Sequence, residues 1–404
     1  MGYYKRLLEN TNGMPDSWQL KGYDVGARCF DDPNLQAYIE QNGELDICPY
    51  SGEVDYLMPL DKIVEYIYIR IHQYYNHPDN CDLYLASSFE IGEDDPDYKR
   101  VGPYFIPRDA EYYGSTRDLL EEIGAYSSQY EDINEKLIEF IGDHDWILKE
   151  PFIITVGEEL SLKWREFAEK VKYSRRFTFL AEKEFNAEPP LSDNCLGDIL
   201  SEISGMCHTE QLVHTIEPMI SLFRARELGD KPVDHSFKEI TSTPCKLAAQ
   251  NRMSPQGISM FYGAFDMINA VVEGSPNRDG KGLFLVGEFT PKRPLRVLDL
   301  TRIPDHITFW LGDFEKWGFL KSFSHELSLP TPKDDKNHIE YVPSQVVTEY
   351  LRYMYEDKEG KLDGIIYRSA IGYWKNVVLF CDNKTSVDWL SLKNINEIKR
   401  DFSV

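Results

Sequence analysis

The sequence predicts a chain of several domains: an all-α front half followed by an α+β back half with a mixed sheet. Three observations carry this. Over residues 53–75, 115–141 and 160–185, apolar residues recur every three or four positions, which is the helical period. After Pro218 the apolar stretches shorten to strand length and mix with helical segments, without the regular βαβ alternation of a parallel sheet. Between the halves, residues 184–194 contain Pro189 and Pro190 and read as a linker. At 404 residues the chain has room for two or three domains.

Residues 1–55 place Cys29 and Cys48 on either side of an amphipathic segment at 35–41, in the outline of a zinc ribbon. A structural zinc site takes four nitrogen or sulfur ligands, usually from two C-x₂-C pairs. The matching positions here are Gly26 with Cys29 and Cys48 with Ser51, so only two thiols remain. The expectation is a degenerate ribbon held by packing.

Residues 56–190 read as a helical domain. Leu57, Leu60, Ile63, Ile67 and Ile71 form the first apolar stripe, and Pro78 ends it. Ser115 opens the second helical stretch with a capping box completed by Asp118, and Gly124 interrupts it before Ile133, Leu137 and Ile141. The third puts Trp164, Phe167 and Val171 on one face. Residues 79–109, with the acidic run Glu93-Asp94-Asp95-Pro96-Asp97, read as a long loop, and residues 191–217 as connecting helices at 196–203 and 210–216.

In the back half, residues 218–404, strands are expected at 220–226, 283–289, 295–300, 364–367 and 377–381, with helices at 305–320 and 344–355. The centre of interest is 251–273. Ser254-Pro255-Gln256-Gly257 is a turn, 258–264 a strand, and 265–273 a helix with Ile268, Val271 and Val272 inward. Arg252, Tyr262 and Glu273 then converge at one edge of a sheet. That trio offers a cation for phosphate, a flat ring for a base, and an anion for an oxocarbenium-like transition state.

The formal charge of −24 repels phosphate backbones and disfavours non-specific nucleic-acid binding. Seven scattered cysteines read as reduced, buried thiols of a cytoplasmic protein. No apolar run reaches membrane-spanning length, and Met1-Gly2-Tyr3-Tyr4-Lys5-Arg6 lacks the apolar core of a signal peptide. Rossmann, P-loop and nucleophile-elbow motifs are absent from strand-to-helix settings.

A set of sparse polar residues sits on apolar elements in a fixed order: Phe223-Arg224-Ala225-Arg226; Arg252 with Tyr262; Glu273; Tyr341-Val342-Pro343-Ser344-Gln345; and Asp363 through Ser369 feeding a strand from Asn376. This order resembles the RES domain over residues 218–383. Many RES proteins are toxins of toxin–antitoxin pairs that consume NAD⁺, with a fold like that of ADP-ribosyltransferases. Where the family usually shows G-R-W/F-N-P-x-G, this chain has Asn251-Arg252-Met253-Ser254-Pro255-Gln256-Gly257.

The resemblance assigns Arg224 and Arg252 to the pyrophosphate, with Arg226 as a neighbour that could substitute for Arg224. It places Tyr262 against the nicotinamide, Ser369 at its ribose, and Glu273 as the acid that stabilises the sugar cation. NAD⁺ is then a substrate, inorganic phosphate a candidate co-substrate, and no metal or other cofactor is required. A neutralising antitoxin or a trigger protein is the implied partner, and the oligomeric state is left open.

The front half resembles the HEPN-type helical domain fused to some RES proteins. Arg70 and His77 have the spacing of the HEPN ribonuclease signature, in which the arginine holds a phosphate and the histidine handles a proton. Plain alternatives stand beside each assignment. Arginines after a strand often make surface ion pairs, a strand-end tyrosine is often core, and Ser369 could cap a turn. Glu273 could be a solvated last-turn residue, although the helix dipole mildly disfavours an acid there. Glu349 faces outward on a helical reading.

Overall fold

A computed structural model describes residues 23–81, 83–85, 96–177, 197–228, 234–275, 281–328, 337–369 and 374–400. The chain divides into two compact units, Met1–Val156 with Asp305–Glu315, and Gly157–Pro304 with Lys316–Val404. These limits differ from the boundaries read from the sequence. Nearly all of the third helical stretch belongs to the second unit, and a short piece of the back half belongs to the first. The N-terminal hexapeptide, residues 93–95 and the linker at 184–194 lie outside the described residues.

The first unit is not all-helical. It combines helices with three small antiparallel sheets. Strands β1 (Asp24–Gly26), β2 (Glu44–Ile47) and β3 (Val54–Pro59) make one sheet, with β3 in the middle. Helix α1 (Pro33–Asn42) starts where Asp32 accepts from the backbone N–H groups of Asn34 and Leu35, with Pro33 in the first turn. The expected helix at 53–75 is therefore a strand followed by helix α2 (Leu60–Tyr74), which buries Leu60, Ile63, Val64, Ile67 and Ile71. Over 54–59 backbone pairing on both sides, with β1 and with β2, decides for a strand over the helical period.

Short strands β4 (Tyr75–Asn76), β8 (Tyr112–Tyr113) and β9 (Trp146–Leu148) form a second sheet. The expected loop at 79–109 contains β5 (Tyr84–Leu85), β6 (Tyr98–Val101) and β7 (Tyr104–Pro107), the third sheet. Helix α3 (Thr116–Glu122) is capped by Ser115, whose hydroxyl accepts from the Asp118 N–H at 3.1 Å. Gly124, at φ +73°, separates it from α4 (Glu131–Ile141).

Cys29 and Cys48 are buried with their sulfurs 3.6 Å apart. A Cβ at Gly26 would lie 2.5 Å from a carboxylate oxygen of Asp55. That carboxylate fills the place a third ligand would occupy, and it accepts from the backbone N–H groups of Arg28 and Tyr56. Among the described residues no cluster of three or more His, Cys, Asp or Glu is arranged to hold a metal ion.

The second unit is built on an eight-stranded mixed sheet. In chain order its strands are β10 (Val213–Ile216), β11 (Leu222–Glu227), β12 (Phe261–Ala264), β13 (Gly282–Pro291), β14 (Leu295–Asp299), β15 (Gly364–Arg368), β16 (Lys375–Leu379) and β17 (Leu390–Arg400). Across the sheet the order is β10-β14-β15-β16-β12-β11-β13-β17, with β14 and β15 the parallel pair. Leu222, Phe261, Leu285, Phe289, Val377 and Leu379 belong to one apolar cluster.

Helices α5 (Val156–Tyr173), α6 (Asp198–Thr209), α7 (Phe237–Ile240), α8 (Met267–Gly274), α9 (Phe314–Ser328), α10 (Asn337–Glu340), α11 (Val342–Tyr353) and α12 (Ser386–Trp389) accompany the sheet in the chain. The expected helix at 210–216 is strand β10, and the helix expected from 305 starts only at Phe314. Asp266 caps α8 by accepting from the N–H groups of Ile268 and Asn269. Val271 and Val272 are buried as expected, but Ile268 is exposed and Asn269 and Ala270 turn inward instead. No helix among the described residues is long and apolar enough to cross a membrane.

Candidate active site

Strands β11 and β12 are neighbours in the middle of the sheet, yet they pair only at Phe223↔Ala264. Beyond that pair they part, and residues of both line a cavity of about 760 Å³. The site is thus a split between two inner strands rather than an edge of the sheet. Arg224, Arg252, Tyr262 and Glu273 all line it.

Arg224 projects from β11 and donates from Nη1 to the carbonyl oxygen of Tyr262 at 2.7 Å. Its guanidinium carbon lies 5.8 Å from the centre of the Phe261 ring. Burial pushes its pKa down to about 10, and no carboxylate pairs with it among the described residues. A desolvated cation without an anion is costly, and a phosphate entering the cavity would relieve that cost.

Arg252 stands in a tight loop closed by the bridge between Asn251 and Ser254, with Gly257 at φ +86° on its exit. The start of α11 holds this loop. The Ser344 hydroxyl donates to the Arg252 carbonyl at 2.6 Å, and Gln345 Nε2 donates to the Asn251 carbonyl at 2.8 Å. Met253, where the family usually has an aromatic, is buried. Ser254 hydrogen-bonds the Tyr262 hydroxyl at 2.8 Å. Burial pushes the Tyr262 phenol up to about 12, so it stays neutral at physiological pH.

Glu273 ends α8. Its Oε1 accepts from the Ser369 hydroxyl at 2.6 Å and from Asn376 Nδ2 at 3.0 Å. No described residue donates to its Oε2. The next residue is Gly274, where a Cβ would lie 2.9 Å from the carbonyl oxygen of Ala225. A glycine is required for the helix end to sit this close to β11.

One expectation changes: Arg226 does not line the cavity but pairs with Glu239 at 3.1 Å on an exposed rim. Glu349 is exposed, as its place on the helix implied, and away from the cavity lining. Asn376, buried beside Glu273, has a place in the site that the sequence did not suggest. Its only signal is an amide between Lys375 and the apolar run Val377–Leu379.

In the first unit, the Arg70 guanidinium is already occupied. Nε and Nη2 donate to the Phe309 carbonyl at 3.0 and 2.8 Å, Nη2 also to the Leu311 carbonyl at 2.9 Å, and Nη1 to Gln73 at 2.8 Å. The rings of Tyr74, Phe309 and Phe314 surround it at 5.0, 5.2 and 5.8 Å. His77 accepts through Nδ1 from the Asp79 N–H, as the cap of a short 3₁₀ turn.

Residues 41–185 match the family model of HEPN/RES N-terminal domain 1, and residues 221–391 match that of the RES domain. No curated protein matches the chain, and no solved structure does. In its order of domains, this chain is a HEPN/RES N-terminal domain fused to a RES domain.

Proposed function

We propose that the RES domain cleaves NAD⁺ at the bond between nicotinamide and ribose, and that the chain is a toxin or defence effector that depletes NAD⁺. The observation that carries this is the presence, in one cavity, of a desolvated guanidinium, Arg224, that meets no carboxylate among the described residues, and of an acid, Glu273, whose Oε2 accepts from none of them. Arg224 and Arg252 hold the pyrophosphate and Tyr262 borders the nicotinamide. The C–N bond breaks with its electron pair going to the pyridinium nitrogen, so nicotinamide leaves neutral. Glu273 offsets the positive charge that builds on the ribose ring. The Ser369 hydroxyl donates to Glu273 Oε1 and so helps to hold the acid beside the ribose.

An oxygen nucleophile closes the reaction. Water yields ADP-ribose and a proton, and inorganic phosphate yields ADP-ribose phosphorylated at the anomeric carbon. Transfer of ADP-ribose to a protein is the variant that likeness to ADP-ribosyltransferases suggests. An activity that drains NAD⁺ calls for a neutralising antitoxin or a trigger, which is the proposed partner. A ribonuclease centred on Arg70 is disfavoured, because that guanidinium is held by carbonyls and aromatic rings.

The test is to incubate the purified full chain with NAD⁺ and follow nicotinamide, with and without phosphate. Glu273→Gln should lower turnover about a thousandfold while the protein stays folded. Bound NAD⁺ with no nicotinamide released would reduce the cavity to a binding site.

A further inference from the structure

Two buried amides connect Glu273 to its own helix and to β16. Asn269 and Glu273 lie four residues apart on α8, hence on one face. Asn376 lies between them. Asn269 Nδ2 donates to Asn376 Oδ1 at 2.8 Å and to the Lys375 carbonyl at 3.3 Å, and Asn376 Nδ2 donates to Glu273 Oε1 at 3.0 Å. Both amides are buried, at 0% exposure for Asn269 and 4% for Asn376. Because Asn376 Oδ1 receives Asn269, its amide nitrogen must face Glu273. An aspartate in its place has no proton to give to an ionised acid, and an alanine leaves Asn269 with only the longer bond to the Lys375 carbonyl.

We propose that Asn376, oriented by Asn269, is a positioning residue that binds Oε1 of Glu273 and so turns Oε2 toward the substrate's ribose. The proposal rests on Glu273 being the acid of NAD⁺ cleavage. Ser369 supplies the second donor to Oε1, so the carboxylate is held by two elements, β16 and the end of β15. Such two-point holding keeps an acid aligned before the charge develops, which is where preorganisation acts on rate. It has little effect on binding, since the phosphate-facing arginines are elsewhere in the cavity.

The experiment compares Asn376→Ala, Asn376→Asp and Asn269→Ala with the wild type in nicotinamide release across pH. Asn376→Ala should lose at least tenfold in kcat with KM within about twofold, and Asn269→Ala should show a weaker loss of the same kind. Asn376→Asp puts a second carboxylate against Glu273. Two such groups hold a proton more tightly than one, so the acidic limb of the pH profile should move to higher pH. The other titratable side chains lining the cavity, Arg224, Arg252, Tyr262, Tyr341 and Tyr367, are unchanged by that variant.

A merely structural amide would change melting temperature and leave the kcat of the folded Asn376→Ala in place. Crystal structures of ligand-free wild type and Asn376→Ala give a readout without turnover, in which Glu273 should leave its bond with Ser369. A folded Asn376→Ala with unchanged kcat, or with Glu273 unmoved, overturns the proposal. A wild type that releases no nicotinamide sinks the cleavage itself, while the two crystal structures still decide whether Asn376 holds Glu273.

Discussion

Arg70 of the first unit and Arg224 of the other unit have much in common as sequence. Each sits at a motif position on a regular element. Their partners set them apart. Arg70 gives hydrogen bonds to two backbone carbonyls and a glutamine and is ringed by three aromatic side chains. Arg224 has one carbonyl and one distant ring, and burial lowers its pKa to about 10. The first guanidinium is saturated and stabilises the fold. The other is desolvated with no carboxylate beside it among the described residues, a cost that a bound anion would offset. Where each N–H goes, rather than motif spacing, is what distinguishes the two, and on the proposed function it marks Arg224 as the one left to bind.

The contrast can be broken in three ways. The largest expected effect is on stability. Arg70→Ala should destabilise the first unit by about 3 kcal/mol, since the Phe309 and Leu311 carbonyls lose their donor. Thermal unfolding would report it, and nicotinamide release below the transition should stay unchanged. Arg224→Met should do the reverse. It should lower kcat/KM about a hundredfold and leave the melting temperature equal or higher, because a desolvated cation has gone. If it instead melts as early as Arg70→Ala, the two arginines are of one kind.

A smaller effect comes from a diphosphate probe. Inorganic pyrophosphate at about a hundred times its Kd should raise the wild-type melting temperature by about 5 °C and leave Arg224→Met unmoved.

Much of the RES-domain unit was legible in the sequence. Arg224, Arg252, Tyr262 and Glu273 come from separate motifs and line one cavity, with Ser369 bonded to the acid. Arg226 misled because alternation puts it on the same side of β11 as Arg224. Alternation does not say that β12 has already parted from β11 there, leaving Arg226 on the rim.

Asn376 was hidden because one polar residue at the start of an apolar strand resembles the end of a loop. The edge strand β17 escaped for a local reason. Its register with β13 shifts between Glu288 and Phe289, so Leu390 and Leu392 are in step with each other but not with Ile395. In the first unit, strands of two to six residues are too short for a period of two to stand out, and the longer helices around them dominate the pattern.

Gly274 and Ala225 meet main chain to main chain, and each is the immediate neighbour of a charged cavity residue, Glu273 and Arg224. The backbone thus acts as a ruler between anion and cation. Swapping methyl groups in the surrounding core leaves that ruler alone, whereas one methyl added at position 274 lengthens it. A nucleotide with a shorter or longer reach between phosphate and sugar would have to bend to fit. Selectivity for linkage length would then be written into a residue that has no side chain.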